Sequence, residues 1–210
     1  MVHNISGVIL AGGASKRFNG IIKAKIILDG KPIIARIIET ISDIFDEVIL
    51  VTNTPAEFKE YNNFKIIGDE LLNRGPLGGI HSALKESDKE ALFVVAGDMP
   101  LLDTDIIVRQ IAYYNSDKCE VLIPQIEQYI EPLHGIYKKT LLPILEEFLV
   151  RNNDYAIREF YKKADVRYMQ IEGSEKSRRA FTNINSPSDI SIVEKILGLP
   201  AGRQGLDDHN

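Results

Sequence analysis

The sequence is poor in cysteine, tryptophan and histidine. Its 210 residues include one cysteine, four histidines and no tryptophan. A single cysteine, Cys119, excludes an internal disulfide and a thiolate metal cluster. We therefore expect a reducing, cytoplasmic location. The histidines show no spacing typical of metal ligands, so a histidine-based metal site is not predicted either.

Long apolar runs and an excess of positive charge are also missing. No apolar run approaches the roughly 20 residues that a membrane-spanning helix needs, and the first residues, Met1 to Asn4, lack the features of a signal peptide. The formal net charge of −5 has the wrong sign for a dedicated nucleic-acid binder. We expect neither a membrane nor a nucleic acid as a partner, whereas nucleotides need only a few local cations and backbone amides.

The residues that are present have the composition of one globular domain, 44% hydrophobic and 26% charged. Continuous apolar strands that alternate with helices indicate a parallel sheet covered on both faces. We predict a single-domain, Rossmann-like α/β fold, an open and mostly parallel sheet flanked by helices on both faces. The predicted strands are 8–10, 48–51, 65–68, 92–96 and 121–123, and the predicted helices are about 32–44, 76–86, 103–114, 140–150 and 188–197.

Two regions depart from this alternation. The pattern in 125–138 predicts a hairpin-like excursion at 127–131 that leads into an extended segment through Tyr137. Residues 198–210 are rich in glycine, aspartate and other polar residues, and we expect them to form a disordered tail. The domain itself is predicted to span 1–197.

The loop after the first strand, from Leu10 to Lys23, is the segment richest in functional signals. Gly12 and Gly13 let backbone amides approach an anion, because no Cβ is in the way. Arg17 and Lys23 add positive charge, Arg as a planar fork and Lys as a point charge. A triphosphate needs that combination of amides and cations. The alternative is an ordinary strand-to-helix turn with basic residues at its surface.

Two common nucleotide motifs are not present. Gly12 and Gly13 are adjacent, so the dinucleotide pattern G-x-G-x-x-G does not occur there. The pair Gly30-Lys31 is followed by Pro32, which does not match the P-loop pattern. The predicted nucleotide site therefore belongs to neither of these types.

An aspartate follows the predicted strand 92–96. Because the carboxyl ends of parallel strands meet at one edge of a sheet, Asp98 should emerge beside the glycine loop. A carboxylate there suits Mg²⁺, which prefers a few carboxylates, waters and phosphate oxygens, and Pro100 would stiffen the turn. The alternative is an aspartate that caps the next helix, but Asp103 is better placed for that role.

Further polar residues should reach the same edge. Asn53 and Asp69 each follow a predicted strand, and their side chains can bind a base edge or a ribose hydroxyl. Ordinary turn chemistry explains each of them equally well. Gly75 opens the segment Gly-Pro-Leu-Gly-Gly at a helix start, where glycines allow close approach to a base or ribose, or close packing of helix on sheet.

Four other polar residues are given structural interpretations. His81 is predicted at the surface of helix 76–86 or partly buried. His134 lies in the extended segment, where it either faces a substrate or occupies a strand face. Arg178 and Arg179 are expected just before a late strand, as a solvated turn or as contacts to an anionic acceptor.

Taken together, these motifs resemble those of the molybdenum cofactor guanylyltransferases, a MobA-like nucleotidyltransferase family. The resemblance covers nearly the whole chain up to about Leu197. It rests on Leu10-Ala11-Gly12-Gly13, Arg17-Phe18, Lys23, Gly30-Lys31-Pro32, Gly75-Pro76-Leu77-Gly78-Gly79, Gly97-Asp98-Met99-Pro100 and Asn183-Ile184-Asn185-Ser186-Pro187. It implies a fold like that of the nucleotide-diphospho-sugar transferases.

The resemblance also implies a reaction and its partners. The reaction is transfer of GMP from GTP to the phosphate of molybdopterin cofactor, with release of pyrophosphate and with Mg²⁺ as cofactor. The implied partners are GTP and molybdopterin or molybdenum cofactor, with molybdoenzyme chaperones as further candidates. The related alternatives are cytidylyl transfer to molybdopterin, transfer to a sugar phosphate, and a non-catalytic nucleotide-binding module.

Roles follow from the resemblance for particular residues. Backbone groups of the glycine loop would contact the nucleotide, Lys23 its phosphates, and Asn53 and Asp69 the guanosine. Asp98 would bind Mg²⁺ and the nucleotide. The residues expected at the nucleotide are Leu10, Ala11, Gly12, Gly13, Lys23, Asn53, Asp69, Gly75 and Asp98. Those expected to be catalytic are Lys23, Asp98 and Arg17, the last assigned mainly from its charge and its place in the loop. Asn183 and Asn185 are expected near the metal or on the pterin side.

The chain departs from the family pattern at four places. Asn19 stands where a glycine usually follows the Arg-Phe pair, and Ile22 stands where an aspartate often precedes the lysine. Lys25 is close enough in sequence to replace Lys23 as the phosphate lysine. Glu131 precedes Pro132 where relatives often have His-Pro. These differences affect the acceptor substrate more than the nucleotidyl transfer.

Overall fold

The computed structural model describes residues 1–12, 18, 20–117 and 119–199. Ten strands lie within these residues: β1 (Ile5–Leu10), β2 (Ile27–Leu28), β3 (Lys31–Pro32), β4 (Val48–Val51), β5 (Lys65–Ile67), β6 (Ala91–Ala96), β7 (Val121–Ile126), β8 (Tyr129–Ile130), β9 (His134–Lys138) and β10 (Val166–Gln170). The α-helices described are α1 (Ile33–Ser42), α2 (Pro76–Glu86), α3 (Thr104–Asp117), α4 (Leu142–Arg151), α5 (Ile157–Phe160), α6 (Glu175–Ala180) and α7 (Pro187–Ile196). Short 3₁₀ helices occupy Lys23–Lys25, Pro55–Tyr61, Lys139–Leu141 and Tyr161–Lys163.

The central sheet is mixed and mostly parallel, as predicted. Its strand order is β10-β7-β9-β6-β1-β4-β5, with β8 paired to β7. Strand β1 is parallel to both β4 and β6, and Leu10 lies level with Val51 and with Ala96. The carboxyl ends of three strands therefore meet at one edge, which is the geometry that places a ligand site in an open α/β sheet.

The excursion after β7 is confirmed and supplies the antiparallel part of the sheet. The chain reverses at Glu127, whose φ of 54° is left-handed, and returns through β8. Strand β9 then inserts antiparallel between β6 and β7. This insertion brings residues 131–134 to the same edge as the end of β6.

Two hydrophobic layers cover the two faces of the sheet. In β1, Ile9 packs in the layer that holds α1, α3 and α7, while Val8 packs in the layer that holds α2 and α4. Both side chains are fully buried. Burial on both faces explains why the inner strands are apolar at consecutive positions.

The predicted helices are present, with small shifts at their ends. Helix α3 begins at Thr104, and Asp103 Oδ1 accepts a hydrogen bond from Ile106 N at 3.1 Å. Asp103 therefore caps α3, which leaves Asp98 for another role. Helix α4 begins at Leu142, two residues later than predicted, because the preceding Lys139–Leu141 forms a 3₁₀ turn.

Five strands and helices are not predicted from the sequence. Strands β2 and β3 form a short antiparallel pair of two residues each, too short for a recognisable pattern. Strand β10 lies at the edge of the sheet with exposed side chains such as Tyr168, so it has no continuous apolar run. Helices α5 and α6 span four and six residues, too few for a recognisable period. The late strand expected after Arg179 is wrong: both arginines lie in α6, and 181–186 is neither helix nor strand.

None of the described helices is long and apolar enough to cross a bilayer. Gly198 and Leu199 close the end of α7, where their backbone amides donate to the carbonyls of Lys195 and Glu194. The remainder of the predicted tail, 200–210, lies outside the described residues, as do Gly13, Arg17 and Asn19 of the glycine loop.

Candidate active site

A cavity of about 500 Å³ opens at the carboxyl ends of β1, β4 and β6. It brings together eight residues singled out from the sequence: Leu10, Ala11, Gly12, Lys23, Asn53, Asp69, Gly75 and Asp98. These eight residues come from segments up to 88 positions apart, from Leu10 to Asp98. The parallel sheet brings them together, because the carboxyl ends of its strands meet at one edge.

Backbone hydrogen bonds hold the end of β1 rigidly at the cavity. Ala11 N donates to Val51 O at 2.9 Å, and Gly97 N donates to Leu10 O at 2.9 Å. A Cβ on Gly97 would lie only 3.0 Å from Leu10 O, so a side chain there would separate the two strands. Among the described residues, a Cβ on Gly12 would meet nothing within 4 Å. Packing against that part of the chain therefore does not require glycine at position 12, and close approach of a ligand to the backbone stays the prediction for it.

Lys23 bridges two oxygen-bearing side chains at one end of the cavity. Its Nζ donates to Asp98 Oδ2 at 2.8 Å and to Asn185 Oδ1 at 2.7 Å. The side chains of Lys23 and Asp98 are 22% and 19% exposed, so the pair is shielded but reachable. Lys25, the competing lysine, instead donates to Glu57 Oε2 at 3.0 Å and to Glu57 O. The geometry therefore places Lys23, and not Lys25, at the cavity.

The arrangement around Lys23 fits a divalent cation that arrives with its substrate. Within the described part of the chain, no three His, Cys, Asp or Glu side chains form a metal cluster. Asp98 and Asn185 nevertheless present two oxygens to a single point, which the ammonium group of Lys23 now occupies. Mg²⁺ needs only one or two protein oxygens when phosphates and water complete its shell. The donor set therefore fits Mg²⁺ bound together with a phosphate ligand.

The far end of the cavity is formed by a paired amide and carboxylate. Asn53 Nδ2 donates to Asp69 Oδ2 at 2.9 Å, and Asp69 N donates to Asn53 Oδ1 at 2.8 Å. The two bonds fix the orientation of both side chains. Each group still has a polar atom beyond this pairing, an amide hydrogen on Asn53 and a carboxylate oxygen on Asp69, for a ligand.

The start of α2 closes the cavity from one side. Gly75 adopts φ 57° and ψ −153°, a conformation essentially restricted to glycine. A Cβ on Gly79 would lie 3.0 Å from Leu10 Cδ2, so glycine lets α2 approach the end of β1 closely. The close-packing interpretation therefore holds at Gly79, whereas close approach of a ligand to Gly75, which also lines the cavity, stays a prediction.

Several lining residues were not found from the sequence. Asn73 and Leu133 both contribute to the wall. Asn73 has a left-handed φ of 60°, and an asparagine just before Arg74-Gly75 is a signal that could have been used. Leu133 reaches the cavity only because β9 lies beside β6, where Ala96 N donates to Leu133 O at 3.1 Å. No local sequence pattern predicts that β9 pairs with β6.

The two late asparagines have different surroundings. Neither asparagine lines the cavity, but Asn185 contacts Lys23, which does. Asn183 Nδ2 instead donates to Glu131 Oε2 at 3.0 Å. Burial raises the pKa of the Glu131 carboxyl above its usual value, with hydrogen bonds from Asn183 and from Leu133 N acting against this.

Of the residues interpreted above, His81, His134, Arg178 and Arg179 do not line the cavity. His134 is fully buried between the rings of Phe93 and Phe181, at centroid distances of 5.0 and 4.8 Å, so it occupies a strand face. His81 is also fully buried, which corrects the expected surface position.

The two arginines of α6 have acidic partners. Arg178 pairs with Glu127, and Arg179 pairs with Glu175. These contacts are structural and give no support to the binding of an anionic acceptor by either arginine.

Known proteins share this architecture. The chain is 37% identical to a protein of Natranaerobius thermophilus, over 94% of the chain and 98% of the relative. It is 36% identical to a protein of Clostridium perfringens, over 90% and 96% respectively. Both relatives carry the name "Probable molybdenum cofactor guanylyltransferase".

Solved structures and a family model agree with these relatives. Molybdopterin-guanine dinucleotide biosynthesis protein A from Archaeoglobus fulgidus superposes with a TM-score of 0.80 at 25% identity, covering 92% of this chain and 98% of that one. The model of the family described as "MobA-like NTP transferase domain" matches residues 7–168. The fold, the cavity and these matches together show that the chain belongs to the MobA-like NTP transferase family.

Proposed function

We propose that the protein transfers GMP from GTP to the phosphate of molybdopterin cofactor and releases pyrophosphate. The observation that carries the proposal is the cavity in which residues 10–12 at the start of the glycine loop, Lys23, Asp98 and the Asn53–Asp69 pair meet. The choice of guanine and of molybdopterin is supported by the names of relatives that match the chain over nearly its whole length.

The nucleotide would lie along the sheet edge. Asn53 and Asp69 would hold the guanosine, and the backbone from Leu10 to Gly12, with Gly13, would hold the phosphates. Gly75 would let α2 approach the nucleoside. In this order the α-phosphate would lie near Asp98, beyond the end of β6.

Lys23 would change partners when the nucleotide binds. Its ammonium group would leave Asp98 and Asn185 and donate to the phosphates, since a phosphate oxygen is a stronger partner for an ammonium than an amide oxygen. Arg17 would add a second cation from the same loop. Bound Mg²⁺ supplies charge neutralisation at the phosphates, and Asp98 with Asn185 would hold it there.

The chemistry is a direct displacement. An acceptor phosphate oxygen forms a bond to the α-phosphorus of GTP, and the bond from that phosphorus to the bridging oxygen breaks, so pyrophosphate leaves with the electron pair. A phosphate nucleophile is already ionised near neutral pH, so no strong general base is needed. Positioning and electrostatic stabilisation by the loop amides, Arg17 and Lys23 would lower the barrier.

Three further features belong to the proposal. We place the nucleotidyltransferase domain at residues 1–197. The lone, buried Cys119 suits a reducing cytoplasm, where we expect the enzyme to work. Docking of a molybdoenzyme chaperone is compatible with the fold and awaits a binding measurement.

The proposal is tested by measuring pyrophosphate release from each of the four nucleoside triphosphates with molybdopterin and Mg²⁺. Of the four nucleoside triphosphates, we expect only GTP to release pyrophosphate. We expect Asp98→Asn to abolish this release while the melting temperature changes little. Preference for CTP would identify a cytidylyltransferase, and activity only with sugar phosphates would show that the acceptor is a sugar phosphate and not molybdopterin. Mg²⁺-dependent GTP binding without transfer to any acceptor would indicate a binding module.

A further inference from the structure

We propose that Glu131 is a positioning residue for the acceptor substrate, because its carboxylate holds Asn183 and thereby the segment 181–186 against the cavity. The inference rests on the proposed function for the identity of the acceptor. It assigns Glu131 no contact with either substrate.

The location of Glu131 follows from the strand order. The Asn53–Asp69 pair lies beyond β4 and β5, whereas Asp98 lies at the end of β6. A nucleotide that extends from β5 towards β6 leaves the side of β9 for the second substrate. Glu131 and Leu133, at the start of β9, are on that side.

Glu131 is itself held firmly at this position. Its backbone N donates to Pro124 O at 3.2 Å, and its carbonyl accepts from His134 N at 3.2 Å. Its Oε1 accepts from Leu133 N at 3.3 Å, and its Oε2 accepts from Asn183 Nδ2 at 3.0 Å. The carboxylate therefore joins the base of the hairpin of β7 and β8 to a segment 52 residues later.

The segment 181–186 depends on such contacts, because it contains neither helix nor strand. Phe181 packs against His134, Ile184 N donates to Asp98 O at 2.9 Å, and Asn185 meets Lys23. The bond between Glu131 and Asn183 lies among these three contacts. A shift at Asn183 is therefore expected to loosen the backbone bond from Ile184 N to Asp98 O, while Asn185 stays in place because its N donates separately to Asp189 Oδ2 at 2.8 Å.

A direct contact between Glu131 and the acceptor is electrostatically unfavourable. The acceptor brings an anionic phosphate, and Asp98 is already close enough to raise the pKa of Glu131 further. Burying a carboxylate also costs free energy unless its oxygens accept hydrogen bonds. Both facts indicate that Glu131 acts through Asn183 and does not contact the acceptor.

The test exchanges the hydrogen-bond donor and the hydrogen-bond acceptor between Glu131 and Asn183. Asn183→Asp places two carboxylates face to face, so the acceptor KM should rise at least tenfold while the KM for GTP stays within about twofold. In the double variant Glu131→Gln with Asn183→Asp, the amide of the introduced glutamine can donate to the new carboxylate, and its oxygen can still accept from Leu133 N. The acceptor KM should then return to within about threefold of the wild type.

Hydrogen exchange at the Ile184 amide reports the segment without any catalysis. We expect exchange at least tenfold faster in Asn183→Asp and recovery in the double variant. Glu127→Gln is the matched control, since it removes a carboxylate from the same hairpin but one that pairs with Arg178; it should change neither readout. If the wild type transfers nothing to molybdopterin, the proposed function fails while the exchange experiment still tests the link. Equal effects on both KM values, or no recovery in the double variant, would overturn the positioning role.

Discussion

Lys23 shows how one residue can serve two states of a site. In the described structure its ammonium group stands between Asp98 and Asn185, where a cation is needed to balance the carboxylate. In the proposed complex with a nucleotide, the phosphates would become its stronger partners. The same flexible side chain would then balance Asp98 before binding and hold the phosphates after it.

Replacing Lys23 by methionine should weaken GTP binding by about 10- to 100-fold, the usual loss for a charged hydrogen bond of roughly 1.5–3 kcal/mol. Calorimetric titration with GTP and Mg²⁺ measures this directly. Lys25→Met is the matched control, because Lys25 pairs with Glu57 outside the cavity and its loss should leave the affinity within about twofold. The reverse ranking of the two variants would transfer the phosphate role to Lys25.

At the scale of the element, α2 shows a conflict between helix propensity and packing. Its first turn contains Gly78 and Gly79, which cost about 1 kcal/mol each relative to alanine in a helix. A Cβ on Gly78 would lie 2.9 Å from the backbone oxygen of Leu71, whereas the nearest atom to one on Gly79 is the end of the Leu10 side chain. The backbone oxygen cannot move aside as a side chain can.

Gly78→Ala should therefore destabilise the protein by about 1–2 kcal/mol despite its gain in helix propensity, because α2 must separate from the segment before it. Gly79→Ala, with the same gain and a yielding neighbour, should be close to neutral. Urea unfolding of both variants measures the difference. Equal stability of the two would show that the approach of α2 to Leu71 does not limit the fold.

At the scale of the whole molecule, the two hydrophobic layers each contain a buried histidine. Burial lowers the pKa of His134 to about 4 and lowers that of His81 as well. Asp103 acts in the opposite direction on His134 without reversing the shift. Neither ring nitrogen of His134 has a hydrogen-bond partner among the described residues, so the neutral ring is the form that the core accepts.

The free energy of unfolding should consequently fall as the pH is lowered. The unfolded chain binds a proton at His134 near pH 6.5 and the folded protein only near pH 4, so stability is complete above pH 6.5 and is lost between those values. His134 alone should cost about 2 kcal/mol between pH 7 and pH 5. His81 contributes with the same sign.

Urea unfolding at pH 7 and at pH 5 measures this loss, in a range where most carboxylates stay ionised. His134→Leu, which has a similar volume and no titrating group, should reduce the difference between the two pH values by about that amount. An unchanged difference in the variant would assign the acid sensitivity to other groups.

The amino-acid sequence by itself determined the alternation of strands and helices and the polar residues that follow each strand. Burial leaves a local period in the sequence, and parallel strands place their carboxyl ends together, so the pattern alone predicts Leu10, Asn53, Asp69 and Asp98 at one edge. The glycines of α2 were recognisable for the same reason, because their conformational demands are local.

Only the tertiary structure decided which of these residues meet. Lys23 and Asn185 are 162 positions apart, and nothing local distinguishes Lys23 from Lys25. The antiparallel insertion of β9 beside β6 brings Leu133 and Glu131 to the site, and the edge strand β10 and the short helix α6 follow from what they pack against. Contacts between distant segments depend on how the layers pack together. A hydrophobic period of two or 3.6 residues shows only which face of a strand or helix is buried, and it does not show which segment packs against that face.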